Sequence, residues 1–248
     1  MDNIRIIDSA ASTNTELAQI ADTAPHGTVI AARTQTAGRG QRGNSWESEP
    51  GKNLTFSILL RPRSILASRQ FEISQIVAIS IAEVLRSQLD TDEIYIKWPN
   101  DIYYRDKKIC GTLIECSLSY SNINHAIVGI GINVNQEVFT SDAPNPVSMI
   151  QIAGTPFDLR MLLDLVVYEI ISRYDNYELS MNPTRLAARY RSMLWRADGF
   201  WPYRDNTTGE VFRARIACVA PDGYITLVTE NGSIPRTFAF KQVSSILQ

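Results

Sequence analysis

The stretch Gly38-Arg39-Gly40-Gln41-Arg42-Gly43-Asn44-Ser45-Trp46 tests whether this chain has a dinucleotide-binding fold. Its first six residues fit the G-x-G-x-x-G pattern of a dinucleotide-binding fold, which requires a helix inside the motif and an acidic residue about 20 positions later. Neither requirement is met, because the motif runs on into a polar stretch ending at Pro50 and positions 58–63 carry no acid. The pattern therefore argues against a nicotinamide site.

Two interpretations of this glycine-rich loop remain open on its residues alone. Glycines let backbone N–H groups approach an anion closely, and guanidinium groups bind phosphate through paired hydrogen bonds. A phosphate-binding loop and a solvated surface loop both fit. Residues 34–52 form one long predicted loop, and long loops in folded domains are usually either functional or disordered.

The segments outside the loop alternate between predicted strands and helices. Apolar runs bounded by turn residues predict strands at 4–7, Thr28–Arg33, Asn53–Arg61, Ile94–Trp98, about 108–118 and about 124–134, with a turn at 105–108. Helical spacing and capping residues predict helices from a Thr13-x-x-Glu16 capping box, at about 70–89, at 158–179 after Asp158, and at 183–196 after Asn182.

The sequence pattern changes after Trp201-Pro202. Short alternating segments follow, separated by the turn signals Pro221-Asp222-Gly223 and Asn231-Gly232. This pattern predicts a small antiparallel β-barrel. The predicted fold class is therefore α+β, with a mixed sheet flanked by helices in residues 1–203 and a separate β domain in residues 204–248.

Composition excludes several functional classes. With 44% hydrophobic and 20% charged residues among 248, the chain has ordinary globular composition. Its net charge of −2 provides no basic surplus for nucleic acid, and no apolar run approaches the ~20 residues of a membrane helix. Three cysteines without a Cys-x-x-Cys pair argue against a disulfide framework or a zinc cage. We expect a soluble cytoplasmic protein that binds neither DNA nor membrane.

Further motifs place polar residues and glycines at strand ends. Lys97-Trp98-Pro99-Asn100-Asp101 ends a strand and is either a simple turn or part of a polar site. Glycines within Lys108-Ile109-Cys110-Gly111-Thr112-Leu113-Ile114-Glu115 and Gly129-Ile130-Gly131-Ile132-Asn133-Val134 indicate strands that lie against a ligand or another flat group. Ser12-Thr13-Asn14 is either a helix cap or a polar lining.

These motifs, in this order and at these separations, resemble the biotin protein ligases, also called biotin–[acetyl-CoA-carboxylase] ligases. The resemblance covers about residues 4–135 by motif and the remainder by architecture. It implies a fold like the catalytic domains of class II aminoacyl-tRNA synthetases followed by an SH3-like barrel. It also implies a short form without the amino-terminal DNA-binding domain that some members carry.

The resemblance implies two half-reactions. Biotin and ATP with Mg²⁺ would give biotinyl-5′-AMP and pyrophosphate, and the adenylate would then acylate one lysine of a biotin carboxyl carrier protein. The protein would be a monomer or a weak homodimer. The magnesium ligands are not indicated by any motif.

The resemblance also implies roles for individual residues. Biotin would be bound by Ser12, Thr13, Asn14, Gln35, Gly38, Arg39, Gly40, Gln41, Lys108 and Gly111. ATP or the adenylate would be bound by Arg39, Arg42, Trp46, Lys97, Asn100 and Asn133. Catalysis would depend on Lys108, Arg39 and Asp101, with Asp101 orienting the acceptor lysine, while Glu115 would be structural.

One residue departs from the family pattern. Gln41 stands where the commonest family loop has an arginine that helps to retain the adenylate. A neutral Gln still donates a hydrogen bond but carries no charge, and our hypothesis is that Arg42 or Lys52 compensates.

Two alternative functions remain. A lipoate ligase shares the two-step chemistry, but lipoate has no ureido group and would leave Ser12, Thr13 and Gln35 unpaired. The second alternative is a non-catalytic protein that only senses biotin. Binding biotin alone would not need the cationic residues Arg39, Lys97 and Lys108.

Overall fold

A mixed seven-stranded sheet forms the centre of the larger part of the protein. The computed structural model describes residues 3–40, 45–141, 143–232 and 234–247. The strands are β1 (Ile4–Ala10), β2 (Val29–Gln35), β3 (Leu54–Leu60), β4 (Ile94–Lys97), β5 (Asp101–Tyr104), β6 (Lys107–Ser119) and β7 (Asn122–Ile132). They lie in the order β1-β2-β3-β7-β6-β5-β4. The β1–β2 pair is parallel and the other neighbouring pairs are antiparallel.

Helices cover both faces of this sheet. They are α1 (Thr13–Ile20), α2 (Phe71–Leu89), α3 (Met149–Ala153), α4 (Leu159–Ser180) and α5 (Pro183–Ser192). The larger core lies on the α2 and α4 face, where alternate residues of β3 and β7 such as Ile58 and Val128 are fully buried. Leu17 of α1 packs on the opposite face, against Leu59 and Ile127. Because both faces of β3 are covered, all seven of its residues are buried.

The carboxy-terminal part is a second, antiparallel sheet. Its strands are β8 (Trp201–Asp205), β9 (Val211–Val219), β10 (Ile225–Thr229), β11 (Arg236–Phe238) and β12 (Val243–Ser245), in the order β11-β10-β9-β8-β12. Trp98 joins the two sheets, because its indole N–H donates to the Gly223 carbonyl at 3.0 Å and its ring meets Phe240 edge-on.

The predicted α+β class is confirmed, and so are the predicted caps of α4 and α5. Asp158 accepts from the Met161 N–H, and Asn182 accepts from the Arg185 N–H. The first strand of the second sheet begins at Trp201, so it crosses the predicted domain boundary at 203/204. That boundary stays a prediction. Among the described residues, no helix is long and apolar enough to cross a membrane.

Three local predictions were wrong. The capping box at Thr13 does not form: Ser12 is the N-cap, its side chain makes no capping bond, and the Thr13 N–H donates instead to Gln35 Oε1. The short strand β5 was missed because its polar start at Asp101 looks like a turn. The five-residue helix α3 was also missed, although Ser148 and Gln151 form a capping box there.

Candidate functional site

A cleft of about 960 Å³ opens on the α1 face of the sheet. The register of β6 and β7 forms its floor, because Gly111 lies opposite Gly131 and Leu113 opposite Gly129. Side chains alternate along a strand, so these residues share one face with Ile127. Beyond the part of this face that α1 covers, the strands carry glycines, which have no side chains. The missing side chains leave room for the cleft above β6 and β7.

Trp46 lies flat on that glycine floor. A Cβ atom at Gly131 would come within 2.4 Å of its indole, and one at Gly111 within 3.1 Å. The flat group predicted to lie against these glycine strands is therefore the indole of Trp46 itself. Its Nε1 is buried without a hydrogen-bond partner among the described residues, and the Lys108 ammonium lies 5.8 Å from the ring centre.

Backbone hydrogen bonds join the two ends of the glycine-rich loop. Arg39 and Ser45 form an antiparallel bridge, and the Trp46 N–H donates to the Gly38 carbonyl at 2.9 Å. Gly40 lines the cleft beside them. The predicted site residues Gln41 and Arg42 lie outside the described residues.

Glu47 ties the far side of the loop to the segment after β7. Its carboxylate accepts from the backbone N–H groups of Thr140 and Ser141 at 2.9 and 2.8 Å, and from Gln136 Nε2 at 3.1 Å. Partial burial acts to raise the pKa of Glu47, but the hydrogen bonds from Ser141 and Thr140 outweigh it and lower the pKa to about 2. Glu47 thus stays ionised and anchors its neighbour Trp46.

A buried polar network fills the α1 end of the cleft. The Ser57 hydroxyl lies 2.8 Å from Thr13 Oγ1 and 2.6 Å from Asn14 Oδ1. Gln35 Oε1 accepts from the Thr13 N–H at 2.8 Å.

Asn14 also bonds strand β6. Its Nδ2 donates to the Leu113 carbonyl at 3.3 Å and to Glu115 Oε2 at 2.7 Å. Asn14 lies so close to the sheet that a Cβ at Gly129 would overlap its Oδ1, at 2.2 Å.

Some polar atoms in the cleft have no partner among the described residues. Buried Asn133 Oδ1 is one of them, whereas Asn133 Nδ2 donates to the Val147 carbonyl at 3.1 Å. The Ser12 side chain makes no capping hydrogen bond, and Gln35 bonds Thr13 through Oε1, which leaves its Nε2 without a described partner. Ser12 and Asn133 are buried, at 6% and 3% exposure. Because buried polar groups are normally hydrogen-bonded, these atoms are the ones available to a ligand.

The opposite end of the cleft is charged. Lys108 Nζ lies 2.8 Å from Asp101 Oδ2, and both side chains are about one third exposed or less. Lys97 has no hydrogen bond or ion pair with any described residue, and its ammonium lies 5.0 Å from the Tyr103 ring centre. Burial lowers the pKa of Lys97, while nearby Asp101 acts in the opposite direction. Burial also raises the pKa of Tyr103 to about 12, which keeps the phenol neutral.

Asn100 is already used by the protein. This buried side chain donates to the Thr112 carbonyl at 2.7 Å, and Thr112 Oγ1 donates back to the Asn100 carbonyl. The pair fixes the turn between β4 and β5 against β6, and so positions Asp101 and Lys97. The charged end is completed by loops of the carboxy-terminal part, where Asn206 after β8 and Phe240 and Lys241 between β11 and β12 line the cleft.

With the exception of Gly38, the structure brings the described site predictions to one cleft, and it adds three residues. Ser57, Glu47 and Tyr103 were missed by sequence reasoning. Ser57 had a signal: it and Thr55 are polar residues two apart in an otherwise apolar strand, which marks a strand face turned to a polar site. Glu47 and Tyr103 had no comparable signal. Among the described residues, no group of three or more His, Cys, Asp or Glu could hold a metal ion.

Comparison with known proteins gives concordant results. Residues 6–133 match the biotin/lipoate A/B protein ligase family. The bifunctional ligase/repressor BirA of Bacillus subtilis is 32% identical over 238 residues, covering 92% of this chain and 69% of that protein. The biotin–[acetyl-CoA-carboxylase] ligase of Paracoccus denitrificans is 32% identical over 161 residues, covering 62% of this chain and 66% of that protein.

Solved structures agree on the fold. The biotin protein ligase from Aquifex aeolicus, in complex with biotin and ATP, superposes with a TM-score of 0.82 over the whole of both chains at 23% identity. The family match spans more than half of the 248 residues, and the Bacillus relative aligns along most of the chain. The chain belongs to the biotin/lipoate A/B protein ligase family.

Proposed function

We propose that this protein is a biotin protein ligase. It joins biotin to ATP, giving biotinyl-5′-AMP and pyrophosphate, and then transfers biotin to a lysine of a biotin carboxyl carrier protein. The carrying observation is that one cleft has neutral polar atoms without partners at one end and lysines at the other. The Paracoccus relative and the Aquifex structure quoted above are biotin ligases by name, which favours biotin over lipoate.

The α1 end of the cleft would bind the biotin rings. The ureido group offers two N–H donors and one carbonyl acceptor, so its ligands must include both acceptors and donors. The free Ser12 hydroxyl and the Gln35 Nε2 amide supply these, while Thr13 and Asn14 hold Gln35 and Ser57 in place. Of the predicted biotin ligands, Asn14 thus acts by positioning, because its amide nitrogen already donates to two protein acceptors.

The charged end would bring two anions together. Adenylation places the biotin carboxylate against the α-phosphate of ATP, and cations must offset their repulsion and the charge that develops at phosphorus. Lys108 and Arg39 would do this, with Gly111 giving the carboxylate room to approach. Lys97 would bind the phosphates that leave as pyrophosphate, since an anion nearby offsets the desolvation that lowers the pKa of this half-buried ammonium.

The adenine would lie between Trp46 and Asn133. The free Asn133 Oδ1 is an acceptor suited to the exocyclic amine of adenine. Stacking on the indole would contribute about 1–3 kcal/mol. Because the indole rests on Gly111 and Gly131 without ligand, it must shift as the nucleotide enters. Asn100 would act through the turn that it fixes, and Arg42 would add a further phosphate contact from the loop.

Asp101 would serve the transfer step. A free lysine has a pKa near 10.4, so its deprotonation at pH 7 costs about 4.6 kcal/mol. The Asp101 carboxylate would orient the acceptor amine and take its proton once Lys108 has moved to the phosphate. Mg²⁺ would enter as MgATP, held mainly by phosphate oxygens, and Asp101 would be the carboxylate that the charged end offers it, because Mg²⁺ typically uses one or two carboxylates plus substrate phosphates.

The acceptor, compartment and assembly state are part of the proposal. We propose a biotin carboxyl carrier domain as the acceptor, and the cytoplasm as the compartment, which three free cysteines fit. The assembly is a monomer or weak homodimer, without DNA or membrane as a partner.

The test is to incubate the protein with biotin and MgATP, measure pyrophosphate release, and detect biotinyl-AMP by mass spectrometry. A carrier domain is then added and its mass is followed. Lipoate runs in parallel. Biotin-dependent pyrophosphate release followed by carrier biotinylation supports the proposal. Adenylate from lipoate alone would reassign the protein as a lipoate ligase, and biotin binding without adenylate would make it a sensor.

A further inference from the structure

The guanidinium of Arg39 is paired with side chains of α1 and β6. Its Nη2 lies 3.3 Å from Glu115 Oε2 and 3.4 Å from Thr15 Oγ1. Arg39 itself lines the cleft, but neither Thr15 nor Glu115 does. The one described arginine of the glycine-rich loop is therefore paired with an acid at the rim and not with the lysine-bearing end of the cleft.

Glu115 joins this arginine to the fixed polar network. The same oxygen, Oε2, accepts from Asn14 Nδ2 at 2.7 Å, so two donors share one carboxylate oxygen. The Asn14 bond is the shorter of the two, and Asn14 is 3% exposed and held further by Ser57. Asn14 thus fixes the carboxylate in place, and the carboxylate in turn determines where Arg39 rests.

The two bonds to Glu115 differ in how easily they break. The side chains of Arg39 and Glu115 are 47% and 44% exposed, and their contact is a single long one. Exposed ion pairs of this kind contribute little to stability and are screened by salt. An anion inside the cleft can instead accept two parallel hydrogen bonds from the guanidinium in a drier environment, where charge-assisted bonds are stronger.

We propose that Glu115 is a positioning residue that holds Arg39 at the rim of the cleft until an anionic substrate takes the guanidinium from it. Glu115 competes with the substrate carboxylate for Arg39 and keeps the entrance open while the cleft is empty. After the exchange, Glu115 remains bonded to Asn14, so the biotin end of the cleft is undisturbed. This proposal rests on the proposed function, because it names biotin as the anion.

The decisive variant is Glu115→Gln. Its Oε1 still accepts from Asn14, but the charge that attracts Arg39 is gone. We expect the biotin KM in adenylate formation, and the biotin Kd from calorimetry, to fall two- to five-fold, with kcat unchanged. The gain should shrink at high salt, since screening weakens the wild-type pair. The matched control is Glu93→Gln, which removes an exposed carboxylate paired with Arg105 at 2.7 Å.

Arg39→Ala separates competition from a structural role. In that background Glu115→Gln should leave the biotin Kd unchanged, because no guanidinium remains to be released. An unchanged or higher Kd for Glu115→Gln alone, or a fall that persists with Arg39→Ala, would overturn the proposal. Wild-type protein that neither binds biotin nor forms the adenylate would instead refute the proposed function.

Discussion

The two ends of the cleft differ in how far their polar groups are already paired within the protein. At the α1 end, Thr13, Asn14 and Ser57 satisfy one another, and few polar atoms remain for a ligand. At the other end, Lys97 has no hydrogen bond or ion pair with any described residue, and Lys108 has the single carboxylate of Asp101. One end is pre-organised without a ligand, whereas the other carries charge that its own protein environment only partly balances.

The difference corresponds to what each end is proposed to bind. A neutral ring system is recognised by fixed donors and acceptors, and mobility there would cost affinity. Anionic phosphates arrive with their own charge, so the protein keeps cations there at some expense in stability. Trp46 lies between the two ends and is anchored through Glu47.

The largest expected effect is at the charged end. Lys108→Met should lower the rate of adenylate formation by about 10²–10³-fold, the loss typical of removing a group that stabilises transition-state charge. Pyrophosphate release at saturating biotin and ATP measures it. Lys107→Met, at the exposed neighbouring position, is the matched control and should retain wild-type rates. Near-wild-type activity of Lys108→Met would show that Lys108 does not stabilise the transition state of adenylate formation.

Gly129→Ala should disrupt the pre-organised end. The new Cβ would overlap Asn14 Oδ1, so the Ser57 bond must break or the strand must move. We expect a loss of about 1–3 kcal/mol in the free energy of unfolding, together with weaker biotin binding. Urea denaturation and calorimetry measure the two. Adding Asn14→Ala should relieve the overlap, so the double variant should lose less stability than the sum of the two single variants. A loss in the free energy of unfolding equal to that sum would contradict this account.

Lys97→Met should separate stability from function. Burial lowers the pKa of Lys97, so the folded state disfavours the ammonium. Replacement by Met should raise the free energy of unfolding at pH 7 by about 0.5–2 kcal/mol, while the ATP KM rises. For the wild type, this penalty disappears as the pH rises through the lowered pKa towards 10.5, so the two proteins should converge in alkali. A less stable Lys97→Met would show that the ammonium has a partner in the folded state.

The smallest expected effect concerns Glu47. Its pKa falls from 4.5 to about 2 on folding, so its stabilising contribution is fully present above pH 4.5 and is lost as the pH falls towards 2. Glu47→Gln should therefore flatten the acid limb of the stability profile slightly and change the fluorescence of Trp46. Thermal unfolding at pH 3 and pH 6 tests this. An identical pH profile for the two proteins would mean that the carboxylate does not anchor the loop.

Much of this molecule was predictable where local rules apply. Asp158 and Asn182 cap their helices as expected because a cap needs only the first turn. The Thr13 capping box failed because a residue 22 positions away, Gln35, supplies the acceptor that a local cap would have supplied. The strand β5 was missed for a similar reason, since four residues become a strand there only by pairing with β4 and β6.

The order of residues alone indicates the chemical groups of the site: the glycines two positions apart in a strand, the lysines, and the polar motif before α1. Side chains alternate along a strand because of backbone geometry, so the sequence is enough to predict that glycines two positions apart lie on the same face. Which of these groups meet depends on contacts between distant parts of the chain. Asn14 and Glu115 are 101 positions apart, and Arg39 and Glu115 are 76 apart. Strand register and the packing of α1 bring these residues together, and neither is a local property of the chain.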